Sequence, residues 1–323
     1  MADKTLDTVL LLALPASGKS EVRRYLALLP AEECKRDFHM DPTVQLDDFP
    51  YVHMMRRTDD ELEAMGKDRL FFKSGDKPFI DPLDWGTLIQ LINEDYADLV
   101  TKNITEPKSA GLHLMERIDA AAVKVGLSAR IGGLDEATRK AVADKLEKEA
   151  VEMLTEKHAN YPDSLDGKTL VIEFARGGPQ GSDMPIPGAF GYNYSVAQLA
   201  PEILEKASIL YVWVTPEESR RKNDARTDPD DPGSILHHGV PIDVMLGDYG
   251  CDDMDWLEEQ ASQKGTITIK AHGKHYHLPI ARFDNRVDKT SFIREDKDKW
   301  APEDVKAMHD GMKSALDHLI DKV

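Results

Sequence analysis

The residues best equipped for chemistry stand near the start of the chain, in Ala13-Leu14-Pro15-Ala16-Ser17-Gly18-Lys19-Ser20. An ammonium and a hydroxyl after a run of small residues match GxxxxGK[ST], with Ala13 replacing the first glycine. Small side chains let main-chain N–H groups close around phosphate oxygens, Lys19 neutralises charge, and the Ser20 hydroxyl can ligate Mg²⁺. These residues predict binding of ATP with Mg²⁺ through Ala13, Pro15, Ala16, Ser17, Gly18, Lys19, Ser20 and Glu21.

That chemistry needs a strand, a tight loop and a helix in succession. The apolar run Thr8 to Ala13 reads as a buried parallel strand, and Val22, Tyr25, Leu26 and Leu29 recur at helical spacing until Pro30. Thr43 to Leu46 reads as a second strand that delivers Asp47 and Asp48 to its carboxyl end, where ligands bind in doubly wound sheets. Thr169 to Phe174 is a third, with Glu173 near its end, where a carboxylate can order Mg²⁺ through water. Arg176-Gly177-Gly178 follows as a flexible loop carrying positive charge at the same edge. Ile209 to Val214 and Pro279 to Phe283 complete a mainly parallel five-stranded sheet, the last strand being the second arm of a hairpin that turns near Gly273.

From Asp59 to about Asp166 no strand pattern appears. Trp85 to Leu99, Met115 to Val125 and Leu134 to Leu154 keep helical spacing, which predicts a helical insertion over 60–165 between core segments 1–59 and 166–323. Val305, Met308, Met312, Leu316 and Leu319 predict a closing helix on the sheet. The fold expected is a three-layer α/β P-loop NTPase domain.

Two stretches resemble a known group. LDDF resembles the strand-end DDF of uridine-kinase-like and phosphoribulokinase-like enzymes, which implies that an aspartate there takes the hydroxyl proton of the phosphoryl acceptor. Asp47 is the matching residue, with Asp48 and Asp41 as alternatives; capping of the next helix is the plainer role for such residues. SILYVWVTPEESRRKNDAR resembles the strand and lid entrance of nucleotide kinases, where arginines close over the moving phosphate. Arg220, Arg221 and Arg226 match, at the start of a lid expected over 216–262; guanidinium groups grip two phosphate oxygens at once and keep their charge. By the same resemblance, 60–165 corresponds to the acceptor clamp, with Arg56 and Arg57 at its entrance as anion ligands or ion-pair partners and Arg176 as a further substrate contact.

The rest of the composition narrows the partners. Asp and Glu (59) outnumber Lys and Arg (41), for a formal charge of -18, which repels nucleic acid and anionic lipid. Cys34 and Cys251 form no CxxC pair, and the short run Val9 to Leu14 leads into Gly-Lys-Ser, unlike a secretory leader, so a cytoplasmic setting is expected. His237 with His238, and His272 with His275 and His277, lack metal-ligand spacing. Asp284-Asn285 is expected to end the last strand near the nucleotide base. The activity expected is Mg-dependent phosphoryl transfer from ATP to a small-molecule acceptor, with a homodimer as one possible assembly; a nucleotide-dependent switch acting on a protein partner is the alternative.

Overall fold

The computed structural model describes residues 4–226 and 239–323. The strands are β1 (Thr8–Leu12), β2 (Thr43–Asp47), β3 (Thr169–Phe174), β4 (Ala207–Trp213), β5 (Thr266–Ala271) and β6 (Lys274–Asp284). They form one mixed sheet of order β2-β3-β1-β4-β6-β5. All neighbours run parallel except β5 and β6. The expected five-stranded sheet is thus corrected to six. The first hairpin arm, β5, joins the edge, and His272 and Gly273 turn the chain with φ of 50° and 73°.

The helices are α1 (Lys19–Ala27), α2 (Ala31–Phe38), α3 (Phe49–Ala64), α4 (Asp84–Thr101), α5 (Ala110–Lys124), α6 (Glu136–Ala159), α7 (Gly191–Ala197), α8 (Pro201–Leu204), α9 (Pro216–Arg226), α10 (Ile242–Gly247), α11 (Met254–Glu259) and α12 (Pro302–Ile320). Strand residues alternate between the two faces. Leu10, Leu12, Ile172, Phe174 and Ile209 pack with Ile89 and Ile92 of α4 and Tyr192 and Val196 of α7. Val9, Leu11 and Val171 pack on the other face with Val22 and Tyr25 of α1 and Met308, Met312 and Leu316 of α12. Each such buried aliphatic side chain contributes about 1.5–3 kcal/mol, so both faces of the sheet are anchored.

A third core binds the helical block to itself. Tyr51, Met54 and Met55 of α3, Leu88 and Leu91 of α4, Met115 and Ile118 of α5 and Val142 and Leu146 of α6 share it. The block therefore begins at Phe49, directly after β2, rather than at residue 60. Asp135 caps α6 by accepting from Thr138 N–H at 2.9 Å, so that helix starts after Asp135 and not at the preceding glycines.

After β1 the chain crosses to β2 on one side, and after β3 it crosses to β4 on the other. Oppositely directed crossovers leave a crevice at the carboxyl ends of β1 and β3, the place where such sheets bind ligands. Among the described residues no helix is long and apolar enough to cross a membrane.

Candidate active site

The segment 13–20 lies in that crevice. Gly18 has φ 104°, and a Cβ there would stand 2.5 Å from Thr290 Oγ1 and 2.8 Å from Asn285 Nδ2, so only glycine fits. Ala16 is also left-handed, with φ 56°. Ala13 is not among the positive-φ residues, which explains why alanine serves where the pattern has glycine. Its carbonyl accepts from Lys19 Nζ at 3.2 Å, and it is fully buried rather than facing the crevice. Three hydroxyl and amide groups brace the loop. Ser17 Oγ donates to Leu14 O at 2.6 Å, Ser219 Oγ to Pro15 O at 2.7 Å, and Asn285 Nδ2 to Ser17 O at 2.8 Å. Among the described residues no side chain caps the N-terminus of α1, which leaves its positive end without a side-chain acceptor.

Asp47 and Glu173 are cross-strand partners in the parallel register of β2 and β3. Alternation turns both toward α1, and Arg23 joins them: its Nη1 donates to Asp47 Oδ2 at 3.0 Å and to Glu173 Oε2 at 2.8 Å. Burial, and then the charge of Asp48, raises the pKa of Asp47; burial, and then the charge of Asp47, raises that of Glu173. Lys19 and Arg23 oppose both shifts. Asp47 also accepts from Phe49 N–H at 2.8 Å, so it serves the turn into α3 as well. Arg23 lies one helical turn beyond Lys19, the i,i+4 spacing that could have revealed it in the sequence.

The other expected residues separate sharply. Asp48 is gripped by Arg176 Nη1 at 2.6 Å, and Arg176 is only 1% exposed, its remaining donors reaching Ser195 Oγ and the carbonyls of Ala175 and Trp85. Arg176 is thus an internal brace, not a substrate contact. Its loop is packed rather than flexible: Gly178 bridges Cys251, and a Cβ on Gly177 would meet Cys251 O at 2.5 Å. Asp41 lies just before the amino end of β2, opposite the crevice, bound by Lys35 at 3.0 Å and Thr5 at 2.7 Å; it is no candidate base.

Glu21 gives its carboxylate to Arg294 Nε at 2.6 Å, which leaves only its backbone for a ligand. Arg57 pairs with Glu149 and Glu61, both at 3.0 Å, so the ion-pair role holds for it. On α9, Arg221 is 59% exposed along its side chain and fastened to Glu218 on the same helix; it does not reach the crevice. Arg220 pairs with Glu217 at 3.2 Å through Nη2, while its buried Nη1 has no partner among the described residues. The side chain of Arg226, like His237 and His238, lies outside the described residues. Asn285 braces the phosphate loop through its amide.

One cavity of about 680 Å³ connects these groups. One half is lined by Pro15 to Glu21 with Asp47, Asp48 and Glu173; the other by His53, Arg56, Phe72, Trp85, Glu149, Glu152, Glu156, Asp248 and Tyr249. The second half was not foreseen beyond Arg56. Arg56 does line it, stacked over the Phe72 ring at 3.9 Å and donating to Gly75 O at 2.8 Å. Burial pushes Asp248 up to about 7, against the pull of Lys73 and Arg56.

The donor set suits Mg²⁺, which keeps most of its water and takes one or two protein oxygens beside those of a phosphate. Ser20, Glu173 and Asp47 offer such oxygens on one cavity wall. No trio of His, Cys, Asp or Glu among the described residues is placed to enclose a metal alone. Compared with protein families, with curated proteins and with solved structures, the chain matches none.

Proposed function

We propose that the chain is a P-loop phosphotransferase that moves the terminal phosphoryl group of ATP to a hydroxyl of a small molecule. The observation that carries this reading is the single cavity in which the braced loop at Gly18-Lys19-Ser20 faces the paired carboxylates of Asp47 and Glu173 and then continues onto the helical block.

Main-chain amides from Ala16 to Ser20 and the Lys19 ammonium hold the β- and γ-phosphates. Asp47 accepts the proton of the attacking hydroxyl, whose oxygen bonds to the γ-phosphorus as the bond from that phosphorus to the β,γ-bridging oxygen breaks and its electron pair leaves with ADP. A Mg²⁺ ion held with the phosphates by Ser20 and Glu173 would neutralise charge on the transferring group. Arg23 keeps both carboxylates in register before ligands arrive. Arg220, next to the Ser219 tie on the loop, brings an unpartnered guanidinium nitrogen to this end of the sheet.

Calorimetry with Mg·ATP, together with ADP release over a panel of small hydroxylated molecules, tests the reading. Binding that Lys19→Ala abolishes, plus stimulation by an acceptor, is expected. ATP binding without any acceptor stimulation would remove the transferase reading, and stimulation only by a protein would favour a switch.

A further inference from the structure

The second half of the cavity has a charge pattern that chooses among acceptors. On α6, Glu149, Glu152 and Glu156 stand three and four residues apart, which places them on one face, and all three line the cavity. Asp248, only 3% exposed, lines the same cavity. The guanidinium lining this half among the described residues is that of Arg56, already committed to the face of Phe72 and to Gly75 O. Of the neighbouring cations, Arg57 is paired with Glu149 and Arg176 with Asp48, while Lys73 lies near Asp248. Trp85, buried in the same wall, has an indole N–H with no acceptor, so one hydrogen bond there awaits a partner.

Resting on the phosphotransferase reading, we infer that the acceptor is an uncharged or amine-bearing polyol or nucleoside, and not a phosphorylated molecule. Carboxylates accept hydrogen bonds from hydroxyl and ammonium groups, and the rings of Trp85 and Tyr249 line the cavity where the apolar side of a sugar or base would lie. A phosphomonoester brings about -1.5 to -2 of charge near neutrality, and in this half it would meet like charge with no uncommitted guanidinium to grip it. Near neutral pH, Asp248 can donate as well as accept, which suits a hydroxyl and not a phosphate dianion.

The test uses the full chain and measures ADP release with glucosamine, inositol and adenosine, each beside its own phosphomonoester. At least one parent should stimulate release ten-fold or more above its phosphate. Joint replacement Glu152→Lys and Glu156→Lys, at exposed positions of α6, should shrink that preference at least five-fold while Mg·ATP affinity, read by calorimetry, stays the same. A phosphomonoester that outperforms its parent, no response to any parent, or a preference unmoved by the charge reversal overturns the acceptor class and leaves the donor site standing. Failure of the wild-type chain to bind Mg·ATP removes the phosphotransferase reading itself, and the acceptor class with it.

Discussion

The two halves of the cavity are built on different terms. Around the loop 13–20 almost every bracing group is buried and internally bonded: Ser17 to Leu14, Ser219 to Pro15, Asn285 to Ser17, Arg176 to Asp48. Across the cavity, Glu152 and Glu156 stand in solvent on one face of a long helix. Rigid placement of donors matters where charge moves, since preorganised dipoles need not reorient during transfer. A mouth that admits a substrate gains less from such fixing and more from shape and sign of charge. Changes on the loop side should therefore destroy catalysis, whereas changes on the helical side should redirect or merely tune it.

The largest effect belongs to the lysine. Lys19→Ala should lower ATP turnover by ~10³-fold or more, with loss of Mg·ATP binding by calorimetry. If turnover survived, the loop half would lose its special standing. Asp47→Asn should cut transfer by ~10²–10⁴-fold while nucleotide affinity changes by no more than about three-fold, because the amide keeps the turn into α3 but cannot take a proton. Full activity in that variant would send the base role elsewhere.

Arg23→Ala separates position from charge. It leaves the half-buried Asp47 facing the buried Glu173 and should cost roughly 1–3 kcal/mol in urea unfolding at pH 8. Both acids already have folded pKa values above the ordinary carboxylate range, and losing Arg23 raises them further. The deficit should accordingly shrink as pH falls and they take up protons, and the acidic limb of the rate profile should move to higher pH. A deficit independent of pH would mean that Arg23 acts by packing alone.

Asp248→Asn probes the other half. The folded carboxyl titrates at about 7 and the unfolded one in the ordinary acidic range, so the native state holds the extra proton between them and stability declines as pH rises through that window. The asparagine variant should gain roughly 1–3 kcal/mol over wild type at pH 8 and almost nothing at pH 4, by thermal or urea unfolding, with Mg·ATP affinity unchanged. The smallest effect is expected of Arg221→Ala: its pairing with Glu218 is exposed, so turnover and stability should stay within about two-fold and about 0.5 kcal/mol.

This contrast also explains what could be read from the chain directly. The phosphate loop, the strands that end in Asp47 and Glu173, the hairpin at Gly273 and the helical character of 60–165 all announce themselves in local patterns of apolar spacing and turn chemistry. Asp48, Arg176 and Glu21 misled because composition places a charge near a site but not its partner: each is engaged by a residue far along the chain, Arg176 with Asp48 at a separation of 128 and Glu21 with Arg294 at 273. The acceptor wall draws on α3, α6, Phe72, Trp85 and Asp248-Tyr249, pieces that only tertiary packing assembles. Ala13 marks the reverse case, where a departure from pattern is harmless because the backbone there needs no left-handed turn.

The amide of Asn285 reaches back 268 residues to hold the carbonyl of Ser17. A chain emerging from the ribosome would carry the loop 13–20 from the first moments of synthesis yet lack the clasp that braces it until the final strand is threaded into place. A product shortened before residue 285 would lose both that clasp and α12, whose Met308, Met312 and Leu316 complete one face of the sheet.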